Sequence, residues 1–167
     1  MGTRRVAAGV VLALAAAHAA AADWTLGPDG FGPLRIGMDF AQAQRVAGPA
    51  LQRADPARLP TRGCEELQLP DHPGVALMFV DGMLRRIDLE AEGPRTDAGI
   101  GVGSPVEEVE KAYAALTRTP HAYDDREAYL TAGPARGRAI RFETLKGKVA
   151  QVYAGDWAQV QYIEGCL

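Results

Sequence analysis

The sequence has very few of the side chains that usually carry chemistry. Among its 167 residues are two cysteines, Cys64 and Cys166, and a single serine, Ser104. None of its three histidines has a second His or Cys at the spacing of a metal-ligand pair. We therefore expect no catalytic residue, no cofactor and no metal site.

The sequence also lacks an excess of basic residues. Its formal net charge is −3, and it becomes −5 when Arg4 and Arg5, which precede the first acidic residue Asp23, are left out. Binding to nucleic acid without sequence preference needs a positive field on the protein. The charge therefore excludes nucleic acid as a partner.

No hydrophobic run of membrane-spanning length follows residue 22. Before it stand Arg4 and Arg5, an uncharged stretch at 6–17 and three consecutive alanines, which is the order of a secretory signal. We predict a signal peptide at 1–22 and one domain at 23–167. The protein is then expected in the periplasm or outside a bacterial cell, without stable membrane insertion after cleavage.

Export bears on the two cysteines, because thiols in an oxidising compartment usually pair. We predict a disulfide between Cys64 and Cys166. A crosslink that closes a loop of about 100 residues is worth roughly 4.7 kcal/mol in a chain-entropy description. A metal-binding or reactive thiol is the alternative, but neither cysteine has clustered ligands beside it.

Two segments of the chain, one in each half of the predicted domain, follow the same sequence pattern. Residues 34–40 and 100–106 each lead through alternating apolar residues to a glycine, Gly37 or Gly103, and these glycines are 66 residues apart. In both cases the apolar residues that follow recur at helical spacing. The pattern predicts an amphipathic helix after each glycine.

The starts of these two helices carry capping residues. Asp39, with Gln42 three residues later, has the pattern of a capping box. Ser104 is a candidate cap for the second helix, and Pro105 suits its first helical position. We expect the first helix to end early, at Gly48, which is followed by proline.

Strands are predicted after each helix. Tight-turn signals at Gly82 and Gly147, 65 residues apart, each join two apolar runs. We predict an α+β fold of two tandem helix-plus-antiparallel-strand repeats, at about 31–93 and 94–166. The repeats are expected to form one sheet with both helices packed on one face.

A glycine-preceded helix followed by an antiparallel meander, repeated in tandem, resembles the SmpA/OmlA-type module of bacterial envelope proteins. Two such modules make up the beta-lactamase inhibitor protein fold. Ile36-Gly37, Val102-Gly103 and the helix spacing carry the resemblance, and residues 162–166 are similar to the Tyr/Ile–Glu–Gly–Cys ending of some exported bacterial proteins. The resemblance implies a protein-binding or inhibitory scaffold without chemistry of its own. The predicted disulfide departs from the family, whose inhibitor has bridges within its modules.

With few reactive groups present, the candidate functional residues are large surface side chains. Trp24, Tyr123 and Tyr129 are candidate partner contacts, because aromatic residues are favoured at binding hot spots. Arg85 and Arg86 form a candidate basic contact patch, unless the pair divides between the two faces of the sheet. We predict an exported binding or inhibitor-like module that recognises a protein or a cell-envelope component.

Two other functions are compatible with the sequence. A small exported hydrolase would need two carboxylates converging in one cleft, as in glycosidases. A structural envelope protein is the other possibility, and a deletion that alters outer-membrane integrity without affecting enzymes would favour it. The carboxylates to consider for the hydrolase are Glu65, Glu66, Asp124, Asp125 and Glu164.

Overall fold

The computed structural model describes residues 23–59 and 61–166, so the predicted signal peptide at 1–22 lies outside the described residues. Strands dominate this part of the chain. They are β1 (Thr25–Gly27), β2 (Gly30–Phe31), β3 (Leu34–Arg35), β4 (Cys64–Gln68), β5 (Val75–Val80), β6 (Met83–Leu89), β7 (Arg95–Thr96), β8 (Leu116–Pro120), β9 (Ala128–Ala135), β10 (Arg138–Leu145) and β11 (Lys148–Asp156). The helices are α1 (Phe40–Ala47), α2 (Val106–Ala112) and α3 (Trp157–Val160), and a 3-10 turn covers Pro56–Arg58.

The predicted α+β fold of two helix-plus-strand repeats is wrong. The described strands form two sheets, one of four strands and one of seven, rather than a single sheet covered by helices. The two predicted helices are present but short. Helix α1 stops after eight residues at Gly48, whose φ is 87°. Helix α2 has seven residues, and strand β8 begins at Leu116, only four residues after its end.

The larger sheet has the strand order β4-β5-β6-β11-β10-β9-β8, and all its neighbouring strands are antiparallel. The two predicted tight turns are confirmed at the β5–β6 and β10–β11 connections. In each turn both central residues have positive φ, with 50° and 77° at Asp81 and Gly82 and 53° and 74° at Lys146 and Gly147. This is the conformation that gives a two-residue hairpin the twist of its strands.

The smaller sheet, ordered β3-β2-β1-β7, covers one face of the larger sheet. Leu26, Phe31 and Leu34 of the smaller sheet belong to the same buried cluster as Ile87 and Val152 of the larger sheet. We term this side of the larger sheet the inner face and the opposite side the outer face. The apolar core therefore lies on the inner face, where the smaller sheet and the buried residues Ala43, Ala47 and Val109 of α1 and α2 pack against the larger sheet.

The two glycine segments contact their hairpins through equivalent hydrogen bonds. The Gly37 N–H donates to the carbonyl of Leu84 at 2.7 Å, and the Gly103 N–H donates to the carbonyl of Val149 at 2.8 Å. Both glycines have positive φ, 95° and 86°. These bonds fix where α1 and α2 begin, at the turn ends of the two hairpins.

The helix caps match the sequence at one helix only. The capping box of α1 is confirmed, since Asp39 Oδ1 accepts from the Gln42 N–H at 2.7 Å and Gln42 Oε1 accepts from the Asp39 N–H at 2.9 Å. At α2 the prediction is wrong, because Pro105 is the N-cap and makes no side-chain cap. The Ser104 hydroxyl instead accepts from the N–H of Gly101 at 3.1 Å.

None of the helices within the described ranges has the length and apolar character that crossing a membrane requires.

Candidate binding surface

Residues 157–166 lie on the outer face of the larger sheet, and we term them the covering segment. The segment begins with α3, whose Val160 is fully buried in a small cluster with Ala139 and Tyr153 of the sheet. Its far end is joined to strand β4 by a disulfide between Cys64 and Cys166, which confirms the predicted pairing. The covering segment is thus attached to the sheet at both ends.

Arg86 holds the middle of the covering segment from below. Its side chain is 2% exposed, and its Nε and Nη2 donate to the two oxygens of Asp88 at 2.8 and 2.7 Å. Its Nη1 donates to the carbonyls of Gln159 and Tyr162 at 3.0 and 2.9 Å, and Nη2 also donates to Glu66 at 3.3 Å. All five N–H groups of the guanidinium therefore have an acceptor. Arg86 binds the covering segment to the sheet and is not part of an exposed basic patch.

The carboxylate and ring beside Arg86 are also buried. Burial raises the pKa of Asp88 to about 7, against the opposing effect of the Arg86 charge. The Arg86 guanidinium lies over the ring of Tyr153, 4.8 Å from its centroid. Burial and a hydrogen bond to Glu143 raise the pKa of Tyr153 above its ordinary value, so its hydroxyl remains a donor to that carboxylate.

A second group of polar residues lies next to these on the outer face. The Arg141 guanidinium lies 5.0 Å from the ring centroid of Tyr129 and donates to the side chain of Gln161 in the covering segment. His121 stacks on the same tyrosine ring at 4.8 Å, and its Nε2 lies 3.0 Å from Glu143. Tyr129 is itself buried. It acts as a platform for two other side chains and offers little surface to a partner.

Tyr123 links the β8–β9 connection to the covering segment from the solvent side. Its N–H donates to Nδ1 of His121 at 3.2 Å, and its hydroxyl donates to Glu164. The Tyr123 side chain is 68% exposed, and Tyr162 and Ile163 of the covering segment are 42% and 43% exposed. We term Tyr123, Tyr162 and Ile163 the exposed apolar surface.

A cleft of about 480 Å³ adjoins this surface and contains the disulfide in its lining. Val80 and Cys64 contribute apolar lining on the sheet side, and Tyr162, Ile163 and Cys166 contribute it on the side of the covering segment. The remaining lining residues are Thr61, Arg62, Asp81, Glu164 and Gly165.

The predicted partner contacts do not all lie together. Trp24 is half-buried and packs against the rings of Phe31 and His72, with centroids 5.3 and 4.0 Å away. Arg85 is partly exposed and forms an ion pair with Asp156 at 3.1 Å. Of the five residues singled out in the sequence, Tyr123 alone belongs to the exposed apolar surface, while Arg86 and Tyr129 lie beneath the residues around it.

Sequence reasoning missed Tyr162 and Ile163. Their neighbourhood, 160–163, reads as a short strand, and this interpretation is wrong because Val160 ends α3 and the chain then turns. The sequence signal that could have identified this apolar pair is its position, four and three residues before Cys166. A disulfide at Cys166 brings the pair near Cys64 of strand β4.

The carboxylates considered for a hydrolase have separate surroundings. Glu65 lies on the inner side in an ion pair with Arg53, whereas Glu66 reaches Arg86 on the outer face. Asp124 pairs with Arg126 at 2.7 Å, and hydrogen bonds from Arg126 lower the pKa of Asp124 to about 2. Glu164 lines the cleft at the disulfide, and Asp125 lines a different one. Within the part of the chain that the structure describes, no three His, Cys, Asp or Glu residues are grouped so as to hold a metal ion.

Comparisons with known proteins do not add a relative to this description. No family model, no curated protein and no solved structure matches the chain. The similarity to SmpA/OmlA-type modules stays a prediction, and function has to be inferred from the covering segment and its surroundings.

Proposed function

We propose that this chain is an exported binding module that recognises a protein partner through the exposed apolar surface and performs no chemistry of its own. One observation carries the proposal: Tyr162 and Ile163 are exposed beside a cleft, on a backbone fixed by Arg86 and the disulfide, and the exposed Tyr123 reaches the same segment through Glu164. Exposed apolar groups gathered at one place are typical of interaction sites, and tyrosine is enriched at binding hot spots.

The contacts beneath the covering segment support this function. Arg86 donates hydrogen bonds to two carbonyls of the segment, Val160 is buried against the sheet, and the disulfide fixes the C-terminal end of the segment. A surface that is ordered before binding loses less conformational entropy when the partner arrives. The buried network therefore serves to present Tyr162 and Ile163 in one arrangement.

The proposed location is the periplasm or the cell exterior. The disulfide fits an oxidising compartment, and the residue order at 1–22 is that of a secretory signal. The partner is then a protein of the cell envelope or of the surroundings of the cell.

A capture experiment with matched variants tests the proposal. The tagged oxidised protein is incubated with an envelope extract of its source bacterium, alongside the double variant Tyr162→Ala/Ile163→Ala and the control Leu145→Ala. Leu145 is also an exposed apolar residue, but it lies in the β10–β11 hairpin away from the covering segment. We expect one partner to be recovered by the wild type and the control, and its recovery to fall at least about tenfold with the double variant.

Equal recovery of every protein by all three would contradict the proposed surface. A turnover measured with the purified chain and unaffected by the double variant would contradict the absence of chemistry.

A further inference from the structure

We infer that the partner's contact segment carries a large apolar side chain next to a lysine or arginine, with the apolar group in the cleft beside the disulfide and the cation at its rim. This inference rests on the proposed binding function and specifies the chemistry of the partner. It follows from the lining of the cleft and from the charges around it.

The apolar half of the inference comes from the walls of the cleft. Val80, the disulfide, Tyr162 and Ile163 contribute apolar groups to its lining. A volume of about 480 Å³ lies within the range of pockets that take a ligand group, which is about 300–1,000 Å³. An aromatic or large aliphatic side chain in this cleft would contact these apolar groups.

The charged half comes from two carboxylates at the rim. The only described contact of the Glu164 side chain is with the hydroxyl of Tyr123, which is neutral. Asp81 forms no ion pair with any residue in 23–59 or 61–166, and its carboxylate lies so close to Gly63 that a Cβ there would be 2.7 Å from Oδ1. Both carboxylates are thus exposed and without a cationic partner among the described residues.

The balance of charge around the cleft selects a basic partner. Arg62 is the one cation among the lining residues, against the two carboxylates of Asp81 and Glu164. The chain after residue 22 carries a net charge of −5. An acidic segment, an anionic lipid surface or a nucleic acid would meet like charge here, whereas a lysine or arginine would find an unpaired carboxylate within reach of the cleft.

Peptide selection on the full-length oxidised protein tests the inference. A displayed library of random 12-residue peptides is selected against the immobilised chain, and an enriched peptide is then synthesised and titrated by calorimetry. We expect enriched sequences to place an aromatic or large aliphatic residue within two positions of lysine or arginine. The double variant Asp81→Asn/Glu164→Gln should bind the peptide about three- to tenfold more weakly.

A charge-matched control removes two exposed carboxylates elsewhere. The variant Glu107→Gln/Glu110→Gln, on helix α2, should leave the affinity within twofold of the wild type. Circular dichroism melting of all variants establishes that they remain folded at the titration temperature.

The outcomes separate this inference from the proposed function. Absence of enrichment, enrichment of acidic peptides, or equal weakening by the Glu107/Glu110 control would overturn the inference. Peptides without a basic residue that lose binding in Tyr162→Ala/Ile163→Ala would overturn it too, but would support the proposed surface. If basic apolar peptides bind Tyr162→Ala/Ile163→Ala with the same affinity as the wild type, both the inference and the proposed function are overturned.

Discussion

Among single residues, Arg86 was predicted to be part of a basic contact patch, but it is buried and binds Asp88 and the covering segment. A bulge between Leu84 and Arg86 leaves the intervening Arg85 without a partner in the β5–β6 ladder. Arg86 consequently shares the outer face with Asp88 two residues later, because side chains alternate along a strand. The pair Arg86-x-Asp88 was visible in the sequence, but the carbonyls of the covering segment that complete its hydrogen bonds were not.

We expect Arg86→Met to lower the free energy of unfolding by about 3 kcal/mol, because it leaves Asp88 buried without its partner. It also removes the donors to the covering segment. The control Arg85→Met removes a partly exposed ion pair with Asp156 and should change the free energy of unfolding by less than about 1 kcal/mol. Urea denaturation of the three proteins measures both values, and equal losses in the two variants would contradict the role assigned to Arg86.

The pKa of Asp88 predicts a pH dependence with a definite sign. Burial raises it from 3.8 to about 7, so the folded state holds this proton more tightly than the unfolded state does. The stabilising contribution of Asp88 is therefore complete below pH 3.8 and is lost as the pH rises through about 7. As the pH rises from about 4 to above 7, the free energy of unfolding of the wild type should therefore fall relative to that of Asp88→Asn.

Urea denaturation of both proteins at several pH values between 4 and 8 measures the difference. Other groups that titrate in this range are common to the two proteins and cancel. A difference that stays constant, or that grows with pH, would mean that Asp88 is charged throughout.

At the scale of elements, the sequence predicted best what depends on neighbouring residues. The hairpin turns at Gly82 and Gly147 and the capping box of α1 are confirmed, because each is determined within about four residues. The prediction of a strand at 160–163 was wrong, because the position of the covering segment depends on Cys64 and Arg86, about one hundred and about seventy residues away. Only the disulfide part of that attachment could be derived from the sequence.

The disulfide is expected to stabilise both the molecule and the attachment of the covering segment. Replacing both cysteines, as Cys64→Ala/Cys166→Ala, should lower the free energy of unfolding by about 2–4 kcal/mol. Thiol labelling of the oxidised wild type should find no free thiol after unfolding in urea. Two labelled thiols would refute the bridge, and an unchanged free energy of unfolding in the variant would refute its stabilising role.

At the scale of the whole molecule, the fold class was mispredicted because the second sheet leaves little trace in the sequence. Strands β2, β3 and β7 have two residues each and β1 has three, so no alternating pattern develops. Leu26, Phe31 and Leu34 nevertheless fill the inner face of the larger sheet. Both helices, by contrast, carry periodic apolar residues but end after eight and seven residues.

The arrangement of the whole molecule divides its two sheet faces between different roles. The inner face packs against the smaller sheet and against α1 and α2, whereas the outer face carries the buried Arg86 and Asp88 and contacts a segment attached at both ends. Tyr123 is the part of the candidate site that the sequence identified, while Tyr162 and Ile163 emerge only once the covering segment is placed. The proposed binding surface is therefore a product of the tertiary fold more than of any motif.

Amide hydrogen exchange of the full chain, alone and bound to the partner recovered in the capture experiment, tests this account most directly. Binding should slow exchange at 121–124 and 161–166, because these residues carry the exposed apolar surface and line the cleft. Exchange in the smaller sheet, on the opposite side of the molecule, should not change. Slowed exchange confined to β1, β2, β3 and β7, with the covering segment unaffected, would contradict the account.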